Sequence, residues 1–437
     1  MSRAQGHGRE QGHAYGSMEV MMLSLRGAGI AVAASAALGI AAAGVALVPA
    51  PRPVAASFTA FATLPRTGNA AVVRETASNP GVGAATAQAG VADTIAHLSR
   101  AQLAGQRVIY GYPGLTPPAR LLRLIRQGEV GGVIFFAGNY ANRSQFSTAI
   151  HRLETANASK TNPARAYPLL LMIDQEGGEV RRLPGAPAQS EKQIGAMKPL
   201  SAAEAAASKA GSGAAANLRS YGLNVDLAPV LDVYRHAGDF DDRYHRSYST
   251  RPTVVSALGA QFVQAMQKGK VAATAKHFPG LGAATRNQNT DTAPVTINLT
   301  AGTLKNRDEY PYKAAIAAGV KLVMVSWAVY PHLGSKRPAG LASAIVQGQL
   351  RRRLGYKGVT ITDAIGAGAL RAYGSPSNRA LLAGKAGMDL ILASGSVGQG
   401  VQSLSGLEKG YSTATLQRAA FRTAVTRILT LRQSLPA

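Results

Sequence analysis

The stretch that decides the fold is VAATAKHFPGLGAATRNQNTDTAP, residues 271–294. It begins with small and β-branched residues, which indicate a short buried strand. Lys276 and His277 stand at the end of that strand, and the proline and glycines that follow interrupt the regular backbone. A cation and an imidazole at the carboxyl end of a buried strand, before a long polar loop, are typical of the site-bearing face of an α/β barrel. The alternative is a barrel strand that ends in a loop without chemistry.

Seven further apolar runs of strand length accompany this one, with helical patterns between them. The runs are continuous and not alternating, as expected for parallel strands that are buried on both faces. Eight strand–helix pairs predict an α/β fold of the (β/α)8 TIM-barrel type, with an open doubly wound sheet as the alternative. No GxGxxG motif follows the first strand to support a dinucleotide site in an open sheet. The predicted strands are residues 108–112, 132–136, 169–173, 225–230, 271–275, 322–326, 359–362 and 390–393; a last helix over 412–434 is predicted to follow the final strand.

Charged side chains stand at several of the predicted strand ends. Asp174 follows the third strand, and Arg182 lies close behind it, a pairing that suits either a grip on ligand hydroxyls or a salt bridge that closes the barrel end. Asp363 follows the seventh strand, where a carboxylate serves as nucleophile, base or metal ligand, or else as a helix cap. No second cluster of acids or histidines indicates a metal, so the nucleophile is favoured. Arg246 lies in the loop after the fourth strand, close enough to reach the pocket mouth.

Two further residues near the fourth strand have weaker functional signals. Asp226 falls inside the strand itself, where a structural role and a functional role are equally compatible with the sequence. His245 precedes Arg246 in a polar loop and is interpreted as a solvated residue.

Composition limits the classes of partner. The chain has 437 residues with 47 Lys and Arg against 22 Asp and Glu, a net charge of +25. Such an excess favours contact with polyanions such as nucleic acid, anionic lipid or an acidic cell-wall polymer. Nucleic acid is the weakest of these, because no zinc-finger spacing, aromatic RNA-binding signature or dense basic block is present. The absence of cysteine excludes disulfides, thiolate metal sites and a lipidated cysteine anchor.

The amino-terminal part predicts export. Residues 27–50 are uncharged and rich in Ala and Gly, and they follow Arg26. This pattern is typical of a signal peptide, with a retained membrane anchor as the alternative. We therefore predict a leader over residues 1–50, an Ala- and Pro-rich linker over 51–90, and one catalytic barrel domain over 91–437 outside the cytoplasmic membrane or attached to the cell wall.

Five motifs, in this order along the chain, resemble the catalytic barrel of glycoside hydrolase family 3. They are DQEGGEVRRLPG (174–185), NVDLAPVLDV (224–233), RSYS (246–249), AKHFPGLG (275–282) and ITDA (361–364). The likeness is greatest to its single-domain bacterial β-N-acetylglucosaminidases and β-N-acetylhexosaminidases. It implies a retaining glycosidase without cofactor or metal, in which Asp363 is the nucleophile. The residues that the resemblance assigns to sugar binding are Asp174, Arg182, Arg246, Lys276 and His277.

The chain departs from that pattern at the acid/base. The single-domain family members carry an Asp-x-His dyad after KHFPG, and Asn287 and Asn289 stand at those positions here. An amide has no proton that titrates near neutral pH and cannot act as a general acid or base. Asp291, two residues further on, is the expected substitute. The end of the sixth strand also differs, with Ser326 followed by Trp327 where Ser-His is common.

Three functions are compatible with these residues. The first is an exported retaining hydrolase of β-linked sugars of the N-acetylglucosamine type, including cell-wall sugars. The second is a sugar-binding pseudoenzyme that has lost the dyad. The third is a barrel scaffold that charge holds to the wall, which the retention of Asp363 and of the binding set argues against.

Overall fold

The computed structural model describes residues 80–436. The predicted leader over residues 1–50, and the predicted linker up to residue 79, lie outside the described residues. The first described element, helix α1 (Pro80–His97), begins within the stretch that was assigned to the linker. Within residues 80–436, every helix is too short or too polar to serve as a membrane span.

Eight parallel strands close into a barrel, which confirms the predicted fold. Each strand pairs with its neighbours in chain order, and the last pairs with the first. A small antiparallel hairpin, β4 and β5, follows the third barrel strand. The strands are β1 (Val108–Tyr110), β2 (Gly132–Ile134), β3 (Leu170–Ile173), β4 (Gln175–Gly177), β5 (Val180–Arg181), β6 (Val225–Asp226), β7 (Ala272–Phe278), β8 (Leu322–Val325), β9 (Val359–Ala364) and β10 (Leu390–Ala393).

Helices surround the barrel and connect its strands. Two of the connecting segments contain π-helical turns, Leu304–Asp308 and Ala344–Arg353. Besides short 3-10 helices, the remaining elements are the α-helices α2 (Arg100–Gly105), α3 (Ala119–Arg126), α4 (Arg143–Asn157), α5 (Glu191–Gly195), α6 (Leu200–Ser220), α7 (Pro252–Lys268), α8 (Ala301–Thr303), α9 (Tyr310–Ala317), α10 (Pro376–Ala386), α11 (Val397–Ser412) and α12 (Arg418–Gln433).

Two elements differ from their predictions. β6 has two residues and not six, because Pro229 lacks the N–H that would extend the ladder, and beyond it only a bridge from Val230 to Lys276 remains. The helix predicted over residues 412–434 does not follow the final strand directly. The glycine-rich helix α11 comes first, and α12 then ends the chain's described part.

The terminal helix closes the amino-terminal end of the barrel. Ile428 and Leu431 of α12 join the apolar cluster that fills the barrel interior. Arg432, fully buried, donates to the carbonyls of Pro168 and Tyr167, which precede β3. With this end filled, the carboxyl ends of the strands are the face left for a site.

Candidate active site

Lys276, near the end of β7, is the centre of a buried charge network. Its side chain is 1% exposed, and its Nζ lies 2.7 Å from Asp174 Oδ1 and 2.6 Å from Glu176 Oε1. Burial alone would lower the pKa of Lys276, but the two carboxylates raise it above its usual range. Burial likewise opposes ionisation of Glu176, but Arg246 and Lys276 hold the pKa of that carboxyl at about 2. Lys276 is therefore a fixed cation at the carboxyl end of the barrel, oriented by Asp174 after β3 and by Glu176 of the β4–β5 hairpin.

Arg246 joins the hairpin to the loop that follows β6. Its Nε and Nη2 donate to the two oxygens of Glu176 at 2.8 and 2.9 Å, and its Nη1 donates to Asp241 Oδ1 at 2.9 Å. A planar guanidinium held at both edges in this way is a rigid donor. Burial alone would lower the pKa of Arg246, but Glu176 and Asp241 raise it.

Asp232, the first carboxylate after β6, orients His277. Its Nδ1 lies 2.7 Å from Asp232 Oδ2, and this is the hydrogen bond that its ring makes within residues 80–436. Asp232, Asp241 and His277 each bring one possible metal-ligand atom within 4.8 Å of the others, the group of this kind found in the described part of the chain. His277 and Arg246 already give both carboxylates cationic partners, so the arrangement indicates a charge network more than a metal site.

Asp363 is held at the end of β9. Its Oδ1 accepts a hydrogen bond from the N–H of Ala364 at 2.6 Å, and the residue is half-buried. The indole Nε1 of the buried Trp327 donates to the carbonyl of Ala364 at 2.9 Å. The Trp that replaces the common His after β8 therefore supports the backbone that carries Asp363.

The loop after β7 brings Asp291 to Asp363. The N–H groups of Gly368 and Ala369, in the segment after β9, donate to the carbonyls of Asp291 and Thr290 at 2.7 and 3.0 Å. Asp291 is exposed, yet the surrounding protein and the charge of Asp363 raise its pKa to about 6. The charges of Arg246, His277 and Asp174 also act on the pKa of Asp291, so Asp291 lies near the network around Lys276.

Asn289 positions Asp291. Its side-chain Oδ1 accepts the N–H of Asp291 at 2.8 Å, and its carbonyl accepts the N–H groups of Thr292 and Ala293 at 3.2 and 3.0 Å. Such a side-chain acceptor two residues back is an Asx turn. Asn289 thus has a structural role at this position, whereas Asn287 is exposed.

The structure brings most of the predicted site residues together. Asp174, Lys276, Arg246 and His277 belong to one network of ion pairs, and the charge of Asp363 acts on Asp291 nearby. Arg182 is placed beside Asp174, whose carbonyl accepts the Arg182 N–H at 3.3 Å. The buried Nε of Arg182 has no hydrogen-bond partner among residues 80–436.

The two residues with weaker signals lie outside the pocket. Asp226 is fully buried beneath it, where its Oδ1 accepts the N–H of Gln175 at 3.0 Å. His245 is exposed and pairs with Glu179 at 2.7 Å, as expected of a loop residue.

The sequence analysis missed three carboxylates that pair with the predicted site residues: Glu176, Asp232 and Asp241. Glu176 lies two residues after Asp174, a spacing that places both on one side of an extended chain. Asp232 and Asp241 stand among several acids of similar appearance, and the sequence does not indicate which of them are buried. Several acidic residues lie close to Arg246 in the sequence, and they could have indicated that one of them pairs with it.

The site combines fixed hydrogen-bond donors with two carboxyl groups, Asp363 and Asp291, that lie in different environments. A cationic floor with convergent N–H groups suits a ligand that carries several hydroxyls. A carboxyl with a raised pKa beside a second carboxyl is a pattern for proton transfer in partnership with a nucleophile or an electrostatic stabiliser.

Comparison with known proteins gives one family. Residues 99–431 match the model of the glycosyl hydrolase family 3 N terminal domain. A protein of Arthroderma benhamiae described as an uncharacterized secreted glycosyl hydrolase is 44% identical over 337 residues, which cover 76% of this chain and 93% of that protein. A Xylella fastidiosa protein named beta-hexosaminidase is 33% identical over 292 residues, covering 65% of this chain and 82% of that protein.

Solved structures agree with this match. A family 3 beta-N-acetylglucosaminidase from Paenibacillus sp. superposes with a TM-score of 0.71 and 32% identity, covering 77% of this chain but 62% of that chain. A beta-N-acetylhexosaminidase from Beutenbergia cavernae gives a TM-score of 0.67 and 30% identity, covering 77% of this chain and 98% of that chain.

Proposed function

Because the chain belongs to glycosyl hydrolase family 3 and is a glycoside hydrolase, we propose that it is an exported retaining β-N-acetylhexosaminidase. Asp363 is the nucleophile and Asp291 is the acid/base in this proposal. The observation that carries it is the attachment of the Asp291 loop to the segment after Asp363, through hydrogen bonds of 2.7 and 3.0 Å. A carboxyl with a raised pKa is thereby kept next to the nucleophile in place of the missing dyad.

The reaction proceeds in two steps. In the first, a carboxylate oxygen of Asp363 attacks the anomeric carbon, the bond to the leaving oxygen breaks, and Asp291 donates its proton to that oxygen. In the second, Asp291 takes a proton from water, the water oxygen bonds to the anomeric carbon, and the bond to Asp363 breaks. Two inversions return the original configuration, which makes the enzyme retaining.

The buried network supplies sugar binding. Lys276, Asp174 and Arg246 are locked by ion pairs of 2.6 to 2.9 Å, so they lose little conformational freedom when a ligand arrives. His277 and Arg182 complete the set, each with a nitrogen that makes no hydrogen bond within the described range. Alanine replacement of any one of the five should weaken binding of N-acetylglucosamine, as calorimetry would show.

The preference for an N-acetylated sugar rests on the likeness to proteins named beta-hexosaminidase or beta-N-acetylglucosaminidase. Export rests on the pattern of residues 27–50 and on the likeness to a protein described as secreted. The net charge of +25 favours retention near an anionic cell-envelope polymer.

Trapping of the glycosyl-enzyme tests the assignment of the nucleophile. A 5-fluoro sugar with a good leaving group should label the wild type covalently, and peptide mapping should place the label on Asp363. Asp363→Ala should abolish labelling while thermal unfolding shows a folded barrel. Labelling of another carboxylate in the variant would overturn the assignment, and binding without any labelling or turnover would instead favour the sugar-binding pseudoenzyme.

A further inference from the structure

A buried pair of carboxyl groups lies behind His277 and takes no part in the proposed reaction. Asp232 is 0% exposed and Asp241 is 1% exposed. The first accepts from His277 Nδ1 at 2.7 Å and the second accepts from Arg246 Nη1 at 2.9 Å. One oxygen of each carboxyl and a ring nitrogen of His277 lie within 4.8 Å of one another. Two buried carboxyls at this separation are unfavourable when both are ionised.

Protonation would satisfy one oxygen of the pair. Asp241 Oδ2 is buried and has no hydrogen-bond partner within residues 80–436. A buried polar atom without a partner is destabilising, and protonation would turn this carboxyl into a donor. An oxygen of Asp232 lies within 4.8 Å of an oxygen of Asp241 and would be the acceptor for that proton. Burial opposes ionisation of Asp232, but the charge of His277 and its hydrogen bond lower the pKa of this carboxyl.

We propose that Asp232 and Asp241 share one proton and together hold His277 as an imidazolium whose Nε2–H donates to the bound sugar. The inference rests on the proposed function, because the ligand is the sugar of that site. Asp232 and Asp241 are positioning residues that act through His277. The side-chain hydrogen bond of His277 within the described residues uses Nδ1, and the charge of His277 reaches Asp291 at the pocket mouth.

Charged and titratable groups face Asp232 and Asp241 from several elements of the fold. Burial raises the pKa of Asp241 to about 7, assisted by the like charge of Asp232 and opposed by Arg246 and His277. Burial also keeps the nearby phenols neutral by raising their pKa values. The groups that face the pair are His277 of β7, Arg246 of the loop after β6, Glu176 of the hairpin, Asp308 with its partner Arg235, and the phenols of Tyr312 and Tyr330.

These charges set the direction of the pH dependence. Burial disfavours the imidazolium of His277, but Asp232 and then Asp241 raise its pKa above the ordinary value. A raised pKa means that the Nε2–H donor is present at low pH and is lost as the pH rises through that pKa. The neutral ring would keep Nδ1–H on Asp232 and offer only an acceptor at Nε2. Sugar binding should therefore weaken at high pH.

Two measurements on the full chain test the proposal. The first is calorimetry with N-acetylglucosamine from about pH 5 to about pH 9, a range that spans histidine titration, and the second is NMR of 13C-labelled histidine. His277→Gln identifies the His277 resonance by its loss. Asp232→Asn should lower the pH at which that resonance titrates by about one unit or more, the usual effect of removing an adjacent opposite charge. Asp241→Asn should lower it by less, and in both variants the weakening of binding should begin at the correspondingly lower pH.

Asp242→Asn is the matched control. Asp242 is an equally buried carboxyl in the same loop, but it pairs with Lys192 at 2.7 Å and does not contact His277. This variant should leave the His277 titration unchanged, which separates the charge effect from disturbance of the loop. If the titration of His277 is the same in wild type, Asp232→Asn and Asp241→Asn, the inference is overturned. If the wild type binds no N-acetylglucosamine at any pH, the sugar assignment fails, and the titration still decides the inference.

Discussion

At the scale of single residues, the chemistry depends on the proton that Asp291 carries. The surrounding protein and the charge of Asp363 raise the pKa of Asp291 to about 6, so its acid form is present below that pH and is lost above it. For a substrate with a poor leaving group, kcat/KM should fall as the pH rises past this value, by about tenfold per pH unit on the alkaline side.

The control for this pH profile is an aryl glycoside with an activated leaving group. Such a substrate needs no proton for the first step, so its kcat/KM should not show the same alkaline limb. If kcat/KM falls at alkaline pH in the same way for both substrates, the titrating group is not the acid. The assignment of Asp291 as the acid/base would then be wrong.

The two asparagines at the dyad positions should behave differently. Asn289→Ala removes the acceptor that holds the N–H of Asp291 at 2.8 Å, a hydrogen bond worth about 0.5–1.5 kcal/mol. We expect kcat/KM to fall about threefold to tenfold, since each 1.4 kcal/mol of lost positioning is a factor of ten. Asn289→Asp keeps the acceptor and should retain more activity. Asn287→Ala, at an exposed position, should be neutral, and equal losses at both positions would refute the turn's role.

The sequence predicts some site residues better than others for a physical reason. Asp174, Lys276, His277 and Asp363 stand directly at strand ends, and parallel strands bring their ends to one face. Asp232 and Asp241 lie further along a loop whose path depends on tertiary packing. They matter because they are buried beside His277 and Arg246. The sequence alone does not show which of several acids is buried.

At the scale of elements, α11 shows where packing overrides propensity. Its glycines disfavour a helix in isolation, which is why the sequence did not predict one there. In the structure, a Cβ at Gly400 would lie 2.2 Å from the Tyr110 ring, and one at Gly406 would lie 2.1 Å from the Ser377 carbonyl. The glycines allow the helix to approach β1 and α10 closely.

The effect of replacing glycine by alanine in α11 should therefore not follow helix propensity alone, because it depends on the space around each glycine. Gly400→Ala should lower the free energy of unfolding by about 1–3 kcal/mol, because the added methyl overpacks a close contact. Gly398→Ala, in the same helix, meets its nearest atom at an ordinary 3.7 Å and should leave stability unchanged or slightly raised. Urea unfolding measures both, and equal effects of the two substitutions would show that the contact with Tyr110 is not limiting.

At the scale of the whole molecule, the barrel was predictable because all eight strands are apolar runs between helical segments, and a parallel strand must be buried on both faces. The carboxyl-end location of the site follows from the same geometry. The tertiary role of α12 could not be predicted, because closure of the barrel by Ile428 and Leu431 depends on how the helix docks.

The net charge of the chain gives a prediction about its location. With 47 basic and 22 acidic residues, the protein should bind isolated anionic cell-wall polymer at low ionic strength. Raising the salt to about 1 M, where the Debye length is about 3 Å, should release most of it. Sedimentation with the polymer measures this directly. Retention that is insensitive to salt would show that something other than charge holds the protein.

Azide rescue of Asp291→Asn tests the central claim most directly. Without the carboxyl, an activated aryl glycoside should still glycosylate Asp363, but turnover should stall because no base activates water, and natural disaccharides should be cut about 10²- to 10⁴-fold more slowly. Azide needs no base, so it should restore turnover of the activated substrate and yield a β-glycosyl azide. The wild type should not be accelerated in this way. Hydrolysis of chitobiose by Asp291→Asn at the wild-type rate, with no effect of azide, would contradict the claim.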